Sequence, residues 1–285
     1  MSAKSYQYVN RQRYRLMPEG DIDVRLSEDV VISEDPLNIV LHWTCKDTQQ
    51  QLEKTFMVTM RTPGQDALLV TGLLLSYAII QDRTQIKSIE SEEFNQCDVL
   101  LSDDVVLDWA SLTRQFVSHS GCGICGANDV KKLAHTFDLN IDQAPEWLPI
   151  QKVLTFSSQL REQQTLFSAT GGVHSAGVFT LDQCLAVHED VGRHNAVDKV
   201  IGELVTKNLL DKQNILMLSG RVSFELMQKA VAAKMAVVVA IGAPSSLAVA
   251  VAKQFNITLI GFVSDHTCNV YHGDFRLKKT NQINR

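Results

Sequence analysis

No stretch of this sequence is apolar enough to cross a membrane as a helix. The longest apolar run, Met235 to Ala243, has nine residues before Pro244 interrupts it, whereas a spanning helix needs about 20. The first twenty residues hold no apolar block of the signal-peptide kind, so secretion is not expected. A surplus of positive charge is also missing. With 27 Lys and Arg against 32 Asp and Glu, the net charge is −5, which leaves no broad basic face to displace counterions from nucleic acid. Cysteine is sparse, at six in 285 residues, which is no disulfide framework. What remains is 45% hydrophobic and 21% charged, the balance of a soluble, cytoplasmic globular protein with a sizeable core. A chain of 285 residues has length for two domains.

Four cysteines, Cys45, Cys97, Cys184 and Cys268, stand singly in apolar or strand-like surroundings, where cysteine behaves as a small hydrophobe. Cys122 and Cys125 are different. They lie in Ser120-Gly121-Cys122-Gly123-Ile124-Cys125-Gly126, and the three glycines leave both sulfurs open to a large partner. Sulfur chemistry needs an accessible thiolate, and His119 or the start of the following helix could lower a thiol pKa. The bland alternative is a glycine-rich turn with two idle thiols. Zinc wants four ligands, and no second C-x-x-C is present, so no structural metal is expected. Nor does an H-x-E precede the pair, and Cys122 follows Gly where a zinc deaminase has Pro. A thioredoxin-type dithiol is the second reading, although the usual short βαβ context is lacking.

From Ile22 to Leu107 the pattern is mostly strand-like, with Asn38–Trp43 and Lys54–Met60 rich in β-formers. After the turn Thr62-Pro63-Gly64, residues Gln65–Ile80 carry an apolar face at helical spacing. A polar helix is expected near Asn128–Phe137, and Pro145 and Pro149 bracket a candidate linker. The expected fold is α/β, with a small α+β domain over 1–145 ending in the cysteine loop, and a second domain over 146–285. In that second half, Asn214–Leu218, Ala236–Ile241 and Ile257–Val263 are strand-length apolar runs, alternating with helices over Phe224–Lys234 and Ser246–Phe255. Such alternation predicts a parallel, doubly covered sheet.

Ligands of parallel sheets sit at the carboxyl ends of strands. Here those ends are Ser219-Gly220-Arg221, Gly242-Ala243-Pro244-Ser245-Ser246 and the stretch after Phe262. Two glycine-bearing segments join them. Thr170-Gly171-Gly172-Val173-His174 reads equally well as a tight hairpin entry. Glu189-Asp190-Val191-Gly192-Arg193-His194-Asn195 precedes the apolar helix Ala196–Leu204. A solvated helix start would account for its acids, and Asn195 could be an N-cap. Arg193 beside helix-start N–H groups could hold a phosphate. None of these junctions is a P-loop or a G-x-G-x-x-G fingerprint. The expected cleft therefore takes a nucleotide-like anion through Gly171, Gly172, Arg193, Arg221, Ser245 and Ser246.

Six motifs in order closely resemble the FdhD family of formate dehydrogenase accessory proteins, over about Arg61 to Tyr271. They are Arg61-Thr62-Pro63-Gly64-Gln65-Asp66, the cysteine loop, Thr170–Ala176, Glu189–Lys199, Ser219-Gly220-Arg221 and Ala243–Ala248. The resemblance implies a sulfur carrier, a sulfurtransferase acting through a cysteine persulfide. It would take sulfur from a cysteine desulfurase and pass it to the molybdenum cofactor, bis(molybdopterin guanine dinucleotide), before insertion into formate dehydrogenase. It implies a three-layer, cytidine-deaminase-like second domain without zinc chemistry, and a homodimer. The persulfide cysteine of the family matches Cys122, and Cys125 matches the second of the pair. The cofactor segment, including its guanine-nucleotide contacts, matches Phe262, Val263, Ser264, Asp265, His266 and Thr267. There the family usually carries basic residues, and this chain does not. A non-catalytic cofactor chaperone and a dithiol oxidoreductase are the alternatives.

Overall fold

A computed structural model describes residues 4–46, 48–92, 95–107, 109, 112, 126–137, 141–210 and 213–278. The chain opens with a long hairpin, β1 (Tyr6–Leu16) and β2 (Ile22–Ile32), paired antiparallel from Tyr6↔Ile32 to Leu16↔Ile22. A four-stranded sheet follows, made of β3 (Asp35–Thr44), β4 (Gln51–Arg61), β5 (Ile86–Glu92) and β6 (Gln96–Leu101) in the order β4-β3-β6-β5. Between β4 and β5 lies α1 (Asp66–Ser76), which is buried continuously from Leu69 to Ser76. The expected helix over Gln65–Ile80 stops early because Ala78 turns left-handed, with φ of 56°.

Six more strands form the second sheet: β7 (His174–Phe179), β8 (Cys184–Asp190), β9 (Ile215–Leu218), β10 (Val237–Ala240), β11 (Thr258–Gly261) and β12 (Asn269–His272). Their order is β12-β11-β10-β9-β7-β8. Only β9, β10 and β11 run parallel; β7, β8 and β12 are antiparallel to their neighbours. The sheet is mixed, not parallel throughout. The cause is local, since β7 and β8 are joined by the short turn 180–183, and a hairpin of that length can connect only antiparallel strands.

The remaining helices among the described residues are α2 (Gly126–Thr136), α3 (Ile150–Glu162), α4 (Thr165–Thr170), α5 (Arg193–Thr206), α6 (Phe224–Ala232) and α7 (Ser246–Gln254). None is long and apolar enough to cross a membrane. Ser223 and Ser245 cap α6 and α7, each hydroxyl accepting an N–H of the first turn. α3 packs on β7 and β9, and α5 on β7 and β8. The segment bracketed by Pro145 and Pro149 is tied down, since Glu146 and Leu148 donate to the carbonyls of Phe275 and Arg276.

One apolar cluster runs from Leu37 to Val263 and includes residues of both sheets. Its tightest seam joins α1 to α5. A Cβ on Gly72 would strike the backbone carbonyl of Asp198, and one on Gly202 would strike that of Leu68. These glycines let the two helices meet backbone to backbone, so the first sheet's helix is pressed directly onto the helix that opens the candidate site.

Candidate functional site

β9, β10 and β11 are parallel, so their carboxyl ends share one rim. β7 is antiparallel to β9, so its first residue, His174, arrives at that same rim. Backbone bonds lace the loops there. Gly242 N donates to Gly220 O (3.1 Å), Phe262 N to Gly242 O (3.3 Å), and Val222 N to Ala243 O (3.0 Å). The predicted segments around Gly171, Arg193, Arg221, Ser245 and Phe262 are thereby brought to one side of the sheet.

Their individual roles differ. Gly171 closes α4 in the left-handed conformation, with φ of 67°, which glycine adopts without penalty. Gly172 is exposed and rests against Ile32 of β2. Arg193 is half-buried, and Arg221 is exposed on its loop. A Cβ on Gly220 would lie 3.4 Å from His174 Nδ1, so the imidazole packs beside this glycine. Burial pushes the His174 pKa down, and the Arg193 charge adds to that effect. Ser245 is occupied as the cap of α7, accepting from Ala248 N at 3.1 Å, and Ser246 is exposed.

The segment Phe262–Thr267 is less uniform than its place in the family suggests. Phe262 is half exposed and held at φ of 53°, an unfavourable backbone for a bulky residue. Val263 is buried in the core and cannot face a ligand at the surface. Ser264 and Thr267 bond to each other across a turn, and Asp265 accepts from Ser157 at 3.2 Å. His266 is exposed.

The acids of Glu189–Asn195 are not a solvated helix start. Both are buried. Glu189 accepts from the N–H groups of Leu166 and Phe167 at 2.7 and 2.8 Å, capping α4. Asp190 pairs with Lys199 at 2.7 Å and accepts from Thr62 N at 3.1 Å and Gly192 N at 2.9 Å. Asn195 is no N-cap, because that position belongs to Gly192; its amide donates to Met60 O at 2.7 Å and to Asp190 at 3.1 Å. Two of the six motifs thus meet in one buried polar knot, whose function is to hold the β4–α1 corner against the β8–α5 corner. Arg61 extends it, gripping Asp66 through two bonds of 3.0 Å.

Beside His194 lies a cavity of about 300 Å³, with Met57, Tyr77, His194, Asp198, Gln228 and Lys229 among its lining residues. Lys229 bonds both Asp198 oxygens at 2.8 Å, and Ser76 donates to one of them at 3.0 Å. Burial raises the Asp198 carboxyl, opposed by Lys229. Tyr77 is pushed up to about 12 by burial and the nearby Asp198 and Glu225 charges. His194 joins this cavity to the rim. Burial, then Lys229 and Arg193, bring its pKa down to about 4, so the ring is neutral at pH 7. A sequence signal existed, because Asp198-Lys199 interrupts an otherwise apolar helix face, and adjacent opposite charges there imply buried partners.

Cys122 and Cys125 lie outside the described residues. Among the described cysteines, burial raises the Cys97 thiol to about 11 and also raises Cys184 and Cys268, so none of these three is tuned for thiolate chemistry. No cluster of three or more His, Cys, Asp and Glu residues placed to hold a metal occurs among the described residues.

Comparison with known proteins adds to this geometry. The profile of the FdhD/NarQ family matches residues 32–278. A protein named sulfur carrier protein FdhD from Streptomyces avermitilis is 35% identical, covering 94% of this chain and 95% of that one. One of the same name from Saccharolobus solfataricus is 33% identical, covering 92% and 96%. A crystal structure described as a formate dehydrogenase accessory protein, from Desulfotalea psychrophila, superposes with a TM-score of 0.71 at 21% identity. It covers 95% of this chain and 99% of that one; at that identity the likeness speaks for the fold.

Proposed function

The chain belongs to the FdhD/NarQ family, and on that premise we propose that it is a cytoplasmic sulfur carrier working through a persulfide on Cys122. The thiolate of Cys122 attacks the outer sulfur of a persulfide held by a cysteine desulfurase, forming the Cys122 persulfide while the donor S–S bond breaks and the desulfurase cysteine leaves as a thiolate. Attack of the Cys125 thiolate on the inner sulfur of the Cys122 persulfide forms a Cys122–Cys125 disulfide and releases the terminal sulfur as sulfide to the molybdenum cofactor, Mo-bis(molybdopterin guanine dinucleotide), a substrate here, before the cofactor enters formate dehydrogenase. Cys125 assists or resolves the persulfide.

The observation that carries this reading is the family match across 32–278, a span that contains the intact cysteine loop. The rim supports the cofactor half. Arg193 and Arg221 stand at separate loops on one side of the sheet, and guanidinium groups suit phosphate. Val263 is withdrawn from the proposed contacts by its burial.

The test is direct. The protein is incubated with a desulfurase and cysteine, trapped with an alkylating agent, and mapped by peptide mass spectrometry. One added sulfur at Cys122 is expected, and the Cys122→Ala protein should fail to mature formate dehydrogenase while folding normally. No mass gain at either cysteine of the pair would end the persulfide reading and leave the non-catalytic chaperone.

A further inference from the structure

The cavity beside His194 is not used by the proposed sulfur step, and its chemistry is the reverse of the rim's. The rim presents two guanidinium groups, Arg193 and Arg221. The cavity sets two carboxylates, Asp198 and Glu225, against one ammonium, Lys229, with a histidine that is neutral at pH 7. Tyr77 registers the acidic lining: after burial, both carboxylates push its hydroxyl up to about 12. Such a lining repels phosphate and other anions. What it offers is acceptors. A carboxylate has about four acceptor positions, and Gln228 adds an amide oxygen. His194 lines the same space, and its Nε2 is buried with no partner among the described residues. Native proteins seldom leave a buried polar atom in that state. Met57 supplies a soft apolar wall. The occupant that fits is flat, uncharged and rich in N–H donors along one edge.

The cofactor proposed as substrate contains such a group. Its pterin carries N3–H and 2-amino donors on one edge, and a short linker joins the ring system to phosphate. Arg193 and Asp198 both stand on α5, about 7.5 Å apart along its axis. That spacing lets a phosphate rest at the arginine while the ring beyond it enters the cavity past His194. Guanine has the same donor edge, but the rim offers a base its own aromatic surface in the half-exposed ring of Phe262. We propose that the cavity is the pterin subsite of the cofactor cleft, its acceptors reading the N3–H and 2-amino edge. The identity of this ligand rests on the proposed function; the place and the edge that is read rest on the cavity.

Fluorescence titration of the full chain with 6-hydroxymethylpterin, which has no phosphate, tests this. Saturable binding at submillimolar concentration is expected, and saturating GDP should leave the pterin in place. The matching lumazine has a carbonyl where the pterin has its 2-amino group, and it should bind at least about tenfold more weakly. Glu225→Gln should weaken the pterin by about tenfold or more, as loss of a hydrogen bond to a charged group does. Circular dichroism checks that the variant is folded. No pterin binding, equal affinity for pterin and lumazine, or a folded Glu225→Gln protein that binds as the wild type does would each overturn the subsite. So would displacement by GDP, which would give the cavity to guanine. Pterin binding without sulfur loading at Cys122 would sink the proposed sulfur step and leave the subsite standing. Sulfur loading without pterin binding would do the opposite.

Discussion

His194 sits between two positive side chains, Arg193 and Lys229, with its Nε2 buried and unpartnered among the described residues. Its pKa falls from 6.5 to about 4, chiefly by burial. In the unfolded chain the ring takes up a proton near pH 6.5, whereas in the folded chain it does not until about pH 4. Protons therefore bind preferentially to the unfolded state in that window. Stability is untouched by this group at pH 7 and is lost as pH falls from 6.5 to about 4, by at most about 3 kcal/mol. His194→Gln should flatten that limb. Urea titrations at pH 7, 5 and 4 would measure it, and parallel losses in the two proteins would show that His194 titrates normally. His174 is shifted in the same direction, so some slope should survive the substitution.

The α1–α5 seam makes an equally specific demand of two elements. Because the atoms facing Gly72 and Gly202 are backbone, no rotamer change can relieve an added methyl, and the helices must part. Gly72→Ala and Gly202→Ala should each cost about 1–3 kcal/mol by urea denaturation. The double variant should cost less than the sum, since both act on one contact. Wild-type stability in either would mean that the helices are not in contact at the backbone. This seam was invisible in the sequence, where Gly72 looks like a weak point in an apolar helix. The parallel strands and the helices between them were legible to within two or so residues, because each is a short apolar run closed by Gly, Pro or Ser. β1 was not, as Asn10 and Gln12 interrupt its apolar alternation. α3 was hidden by its polar majority, although Val153, Phe156 and Leu160 mark its buried face. The contacts of Asp190 with Thr62 and of Asp198 with Lys229 could not be read, because the partners lie 128 and 31 positions away.

On the scale of the whole molecule, the proposed sulfur delivery and the proposed cofactor holding use different residues, and they should be separable by mutation. Arg193→Ala and Arg221→Ala should each weaken GDP binding by about tenfold to a hundredfold, the range for a charged hydrogen bond, while Cys122→Ala leaves it nearly unchanged. Calorimetric titration decides this, and wild-type affinity in both arginine variants would move the nucleotide away from the rim. The gathering of these loops was legible from the strand ends. The withdrawal of Val263, Glu189 and Asp190 into the interior was not, since each was read from its neighbours in sequence and is governed by neighbours in space. The lacing of the rim has a further consequence. Loops whose amides and carbonyls are already bonded to one another, from Gly220 to Gly242 to Phe262, have little backbone freedom left to surrender when a ligand arrives. Such a rim selects as a rigid template does, refusing a poorly matched guest where a mobile loop would have moulded itself around one.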